Sequence, residues 1–162
     1  MVIGFGGKMR RIDRACMDEE FFNDIFDRAD TMYVAINGND KIGGYPYIIP
    51  VNFVKYKNKL YVHAAHEGLK LDLISNDSRA AFTITVDIEV DIQDKTTYYK
   101  SICGTGRIHI VNDDKEKGLA LDKIAEHYKA SCPVPAPKRD IDRVTIIGIE
   151  IENITGKRNL KK

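Results

Sequence analysis

The sequence predicts a mainly β fold with helices added (β+α): a six-stranded antiparallel barrel, closed or nearly closed, carrying about three flanking helices. Three observations predict it. Strand-length segments, apolar or alternating, recur six times along the 162 residues. Most of the links between them are turn-sized, which suits hairpins better than helical crossovers. Only three segments carry helical spacing, too few for a sheet in which a helix follows every strand.

Each element has its own signal. Asp18-Glu19-Glu20 ahead of Phe21, Phe22, Ile25 and Phe26 predicts a helix capped by Asp18, with acids in its first turn. Residues 31–36 form the first strand, ended by the turn signal Asn37-Gly38-Asn39-Asp40. Residues 45–56 read as one strand containing Pro50, and Lys57-Asn58 links it to a third at 59–64. A short helix fits 69–75, stopped by Asn76-Asp77. Residues 80–90 alternate through Phe82, Ile84, Val86, Ile88 and Val90, the period of a half-buried strand. Residues 96–111 form a long strand in which Gly104 and Gly106 predict a bulge or bend. Leu119, Ile124 and Tyr128 predict a helix over 116–129. The prolines of 132–137 demand an extended crossing segment, and the β-branched run 144–151 is the last strand. One domain spans 1–162, with residues 1–8 and 157–162 expected to be loose.

Composition excludes several classes of function. Lys+Arg 25 against Asp+Glu 24 gives a net charge of +1, so no global basic field invites nucleic acid. No apolar run reaches membrane length, and the start lacks a signal-peptide core, so the cytoplasm is the expected location. Cys16, Cys103 and Cys132 lie far apart without metal spacing and read as reduced, packed residues. Asp87, Glu89 and Asp91 alternate with apolar residues, which reads as a solvated strand face rather than a metal site. Gly104-Thr105-Gly106 opens no helix and Gly4-Phe5-Gly6-Gly7 follows no strand, so neither is a dinucleotide fingerprint.

Three segments could carry chemistry. His63 ends a strand, Ala64 and Ala65 permit close approach, Gly68 permits an unusual backbone, and Lys70 falls in the first turn of a helix. Backbone N–H groups, an imidazole and an ammonium around one point suit a phosphorylated ligand, although a strand-end histidine also serves purely structural ends. His66, in the same loop, is read as facing solvent. Pro50 marks either an edge strand packed by Tyr45 and Tyr47 or a backbone open to a flat ligand, with Asn52 offering donor and acceptor. Tyr99-Lys100-Ser101 reads either as an ordinary strand face or as the completion of a phosphate site.

The pieces YPYIIPVNF (45–53), YVHAAHEGLKLD (61–72) and YKSICGTGRI (99–108), framed by MRRIDR (9–14) and IEIENITGKRN (149–159), occur in an order that resembles the pyridoxamine 5′-phosphate oxidase-like split-barrel proteins. The nitroimidazole-resistance branch is the nearest match. That resemblance implies a split barrel forming a homodimer with two FMN sites at the subunit interface. It implies FMN contacts from Tyr47, Ile49, Pro50, Val51 and Asn52 on one strand and from Val62, His63 and Ala64 on another. Gly68, Leu69 and Lys70 would hold the phosphate end, with Tyr99, Lys100 and Ser101 approaching from a further strand. His63 would be the catalytic residue. The implied activity is an FMN-dependent oxidoreductase that passes electrons to a small flat acceptor such as a nitroaromatic. The alternative is a flavin- or haem-binding protein without reductase activity. The chain departs from the family at Leu69, where a second basic residue is common, and at Lys100, where arginine is common.

Overall fold

A computed structural model describes residues 10–161. The expected loose start at 1–8 and the run Gly4-Phe5-Gly6-Gly7 therefore lie outside the described residues. The fold is mainly β, as the sequence predicts, but with more strands than six. They are β1 (Ala15–Cys16), β2 (Met32–Ile36), β3 (Tyr47–Val51), β4 (Val54–Tyr56), β5 (Lys59–Ala64), β6 (Arg79–Asp91), β7 (Thr96–Val111) and β8 (Thr145–Asn159). The helices are α1 (Glu19–Arg28), α2 (Leu69–Asn76), α3 (Asp114–Tyr128) and the single turn α4 (Lys138–Ile141). No helix among the described residues is long and apolar enough to cross a membrane.

All strand pairings are antiparallel, in the order β3-β2-β6-β7-β8-β5-β4, with β1 added on β8. β3 and β4 are thus opposite edges of the sheet, yet only Asn52 and Phe53 separate them in the chain. Laid flat, seven strands would hold those edges about 29 Å apart at ~4.8 Å per strand. Three residue steps span about 11 Å at most. The sheet must therefore roll until its edges nearly meet, which makes it a split barrel.

Tyr128 at the end of α3 fastens the link between the edges. Its hydroxyl accepts the Phe53 N–H at 2.9 Å and donates to the Asp30 carbonyl at 2.8 Å, with the Phe53 carbonyl at 3.0 Å. The Phe53 ring is fully buried against Phe26 of α1. This is why residues 45–56 are two strands: the chain leaves one edge, is pinned at Phe53 and joins the other.

The barrel interior is filled. Met32, Val34, Ile36, Phe82, Ile84, Ile102, Ile108, Ile147 and Ile149 form its core, and α1 closes one end with Phe21, Phe22, Ile25 and Phe26. Asp18 caps α1 as expected, accepting the Phe21 N–H at 2.7 Å. The inner face of the split keeps only about 10 Å³ of free volume, room for roughly one water at most. At the split, any larger ligand has to bind on the outer face.

Two bulges shape the long strands. Between β7 and β8 the register shifts at Thr105/Gly106, opposite Asn153 and Ile151, leaving Glu152 unmatched. The extra residue switches which positions face inward: Ile147, Ile149 and Ile151 pack on the core before it, Ile154 after it. Gly104 faces inward too, and a Cβ there would stand 2.2 Å from the Phe82 ring. β8 continues through the bulge to Asn159, so residues 157–159 belong to the sheet and are not a loose tail.

The second bulge lies between Val86 and Glu89, with Asp87 at φ 56°. It turns Asp87 towards α1, where Arg28 bridges Asp24 at 2.8 Å and Asp87 at 2.9 Å. Lys100 reaches the same two carboxylates at 3.1 and 3.3 Å. Glu89 pairs with Lys161, so two members of the acidic run are ion-paired rather than simply solvated. Hydrogen bonding from Arg28, with help from Lys100 and against partial desolvation, holds the Asp87 carboxyl down at about 2. A depressed carboxyl stabilises the fold above its unfolded value, and the contribution disappears as pH falls through about 2. Asp87→Asn is expected to be less stable than the parent at pH 6, with the gap closing towards pH 2. Urea unfolding across that pH range measures it.

Candidate functional site

The segment from β5 into α2 is the richest in functional groups. Leu60, Val62 and Ala64 face the core, which places Tyr61 and His63 on the outer face of β5. α3 covers Tyr61, and His63 remains exposed. The Tyr61 hydroxyl donates to Glu116 at 2.7 Å, and Lys59 bridges Glu116 at 2.9 Å and Glu150 at 3.4 Å. Lys59, then Tyr61, lower the Glu116 carboxyl, while burial and then Glu116 push the Tyr61 phenol above its usual range. This network fixes α3 over one half of β5 and leaves the His63 half open.

Gly68 opens α2 at φ 138°, a region that disfavours any side chain. It offers the helix no side-chain cap, and the N–H groups of Leu71 and Asp72 return to its carbonyl. The N–H groups of Leu69 and Lys70 bond to none of the described residues. Lys70 is half-buried, its stem among Ile49, Val51 and Val62 at the split, and it forms no ion pair among the described residues. A helix start with free N–H groups and an uncommitted ammonium can hold an anion.

The structure therefore brings Ile49, Val51, Val62 and Lys70 together and sets His63, Ala64, Gly68 and Leu69 beside them along the chain. On β3, Tyr47 and Val51 pack towards the core and Ile49 lines the split, whereas Ile48 and Pro50 stand exposed on the outer face. Pro50 is the register partner of Tyr33, which is also exposed, giving the edge a flat apolar outer surface. Asn52 is turned to the fastened link, donating to the Asp30 carbonyl at 2.8 Å.

Tyr99, Lys100 and Ser101 lie elsewhere. His63 pairs with Ile146, which pairs with Val111. The stretch of β7 from Val111 to Ser101 covers about 30 Å at ~3.3 Å per residue. Adjacent strand positions alternate faces, so Lys100 sits on the Ile102 side with its ion pairs and Ser101 on the other. Lys100 and Ser101 do not converge on one point within the chain. His66 is exposed, as expected, but it is also tied down: its ring nitrogens lie 3.2 Å from Thr145 Oγ1 and 3.0 Å from the Asp142 carbonyl, linking the loop to β8. Of the cysteines only Cys16 is buried, and burial pushes its thiol up. Reading by segment missed Tyr128 and Glu116, whose partners lie on elements distant in sequence. A tyrosine and a glutamate on the core-facing side of a helix were the available signals.

The curled sheet with helical caps is a fold seen in other solved proteins. A crystal structure assigned as a 5-nitroimidazole antibiotic resistance protein, from Bacteroides thetaiotaomicron, is similar with TM-score 0.77 and 24% identity over 88% of this chain and 85% of that one. The flavocytochrome Anf3 from Azotobacter vinelandii is similar with TM-score 0.76 and 16% identity over 95% and 73%. An FAD- and haem-binding protein from Mycobacterium smegmatis is similar with TM-score 0.76 and 16% identity over 91% and 74%. No curated protein matches the chain in sequence. The family model described as pyridoxamine 5′-phosphate oxidase matches residues 18–158, and the chain belongs to that family.

Proposed function

We propose that the chain binds FMN on the outside of the barrel and acts as an FMN-dependent oxidoreductase towards a small flat acceptor such as a nitroaromatic. The observation that carries this reading is the start of α2, without a side-chain cap and with Lys70 in no ion pair among the described residues, opening beside the exposed His63 at the split. Those groups fit a phosphate monoester. The exposed surface of Tyr33, Ile48 and Pro50 fits a flat ring, and the filled interior leaves the outer face as the place for it. FMN, when bound, supplies the redox chemistry. Lys70 and the Leu69 and Lys70 N–H groups hold the phosphate, β3 orients the ring, and a ring nitrogen of His63 hydrogen-bonds the acceptor and delivers a proton to it. One fold neighbour is named as an FAD- and haem-binding protein and another as a flavocytochrome. They support a second reading, a flavin- or haem-binding protein without reductase activity.

The protein is proposed to work as a homodimer with its cofactor sites at the interface. The separation along β7 supports this, because about 30 Å exceeds the length of one FMN. One ligand could meet both His63–Lys70 and Tyr99–Ser101 only if a second copy supplied one of the two sets.

His63→Ala is expected to slow electron transfer roughly a hundredfold while FMN affinity stays within about twofold, because His63 is exposed on the outer face of β5 and the phosphate is held by Lys70 and the helix start. The check is the anaerobic reoxidation rate of dithionite-reduced, FMN-loaded protein on mixing with 2-nitroimidazole. An unchanged rate removes His63 from the mechanism.

A further inference from the structure

We propose that the chain carries a second ligand site, at the opposite end of β5 from His63, that takes a small apolar monocarboxylate such as a single-ring aromatic acid. The site is a cavity of about 350 Å³ between α1, the β4–β5 hairpin and the bulged stretch of β8, within the size range of small-ligand pockets. Its apolar wall is Phe22, Phe26, Ile151 and Ile154. Phe22 and Phe26 belong to the core, so the wall is rigid.

The feature that points to an anion is Lys55. It is the register partner of Leu60, which is fully buried, so it stands on the core-facing side of β4, where an apolar residue is expected. Its ammonium lies 5.6 Å from the centre of the Phe26 ring and donates to the neutral Asn23 Oδ1 at 3.2 Å. Six other lysines, Lys41, Lys59, Lys100, Lys123, Lys138 and Lys161, each reach a carboxylate. Lys55 reaches none among the described residues, and residues 1–9 contain no acid that could serve it. A half-buried ammonium bonded only to an amide gains a charge-assisted bond when a carboxylate arrives.

The rim is built rather than loose. Asn58 at the hairpin tip donates its side-chain amide to the Ile151 carbonyl at 2.9 Å and accepts the Ile151 N–H at 3.1 Å. This clamps the hairpin to the bulge. Glu19 and Glu152 also stand at the cavity; Glu152 is engaged by Arg107 at 3.0 Å. Lys57 lines the cavity as well, its ammonium 5.5 Å from the centre of the Tyr56 ring. With two carboxylates beside the two ammoniums the lining carries little net charge, which suits a monoanion on Lys55 better than a phosphate dianion.

An inward lysine on an edge strand can also serve only to block pairing with other sheets, and the test separates the two roles. Benzoate is titrated into the purified protein and followed by backbone amide shifts, with benzamide as the neutral isostere. Saturable benzoate shifts at Phe22, Asn23, Phe26, Asn58 and Ile154 are expected, with benzamide roughly tenfold weaker. Lys55→Met should weaken benzoate by about tenfold and Lys55→Arg should largely keep it. The wild-type comparison of the two ligands stands even if Lys55→Met fails to fold. Equal binding of benzoate and benzamide, shifts centred on His63 and Lys70, or no saturable shift would overturn the proposal. The assay needs no flavin, so its outcome does not depend on the proposed function.

Discussion

Phe26→Ala lowers the stability of the fold by about 4 kcal/mol. Phe26 is 2% exposed and joins three parts of the molecule. Its ring meets Phe53 edge-on at 6.2 Å and Phe82 at 6.5 Å, and Lys55 lies over its face. Truncation removes the transfer free energy of the ring and leaves a cavity that rigid β6 and the fastened Phe53 cannot collapse into. Because Phe53 is the residue that holds the two sheet edges together, the loss falls on barrel closure as well as on helix docking. For a domain of this length about 4 kcal/mol corresponds to a fall in Tm of roughly 8–16 °C. Urea denaturation and thermal melting both measure it. A loss below about 1 kcal/mol would mean that α1 does not close the barrel as described.

On the proposed reading, Lys70→Ala is expected to weaken FMN by roughly 10- to 100-fold, the worth of one charge-assisted bond of about 1.5–3 kcal/mol. The helix start would still offer its N–H groups, so binding should weaken rather than vanish. The residual affinity should also depend less steeply on salt, because one charge contact is gone. Lys100→Ala is the matched control. Its ammonium is held by Asp24 and Asp87 on the face away from Ser101, so its removal should cost stability at the α1 junction and leave FMN affinity close to the parent. Equilibrium titration of FMN fluorescence at two ionic strengths gives both numbers. Equal weakening in the two variants would place the phosphate at neither residue alone.

The parts of the fold that repeat a local rule were legible in the sequence. Asp18 with the phenylalanines of α1 and the alternation of β6 up to Val86 each announce their element. Where two sheets of contacts meet, the local rule gives way. Residues 45–56 look like one strand because nothing in Asn52-Phe53 signals a turn; the break exists because Tyr128, distant in sequence, takes the Phe53 backbone. The last strand reads as ending at Ile151 because Glu152 is an extra residue that shifts the alternation by one. The candidate site divides in the same way. Gly68, Lys70 and His63 are close in sequence and stay close in space. The Tyr99-Lys100-Ser101 stretch, which its residue types and the resemblance both offer to the same phosphate site, is carried about 30 Å away by β7 within the chain. Lys55 gave a signal in the opposite direction, a charge at a position whose register partner is in the core.

The most direct test of the central claim is the visible absorption spectrum of the purified protein after incubation with excess FMN and removal of free ligand. A retained flavin spectrum near one FMN per chain, lost in large part on Lys70→Ala, is the predicted result. A protein that retains no FMN, or that retains it equally well without Lys70, would contradict the account.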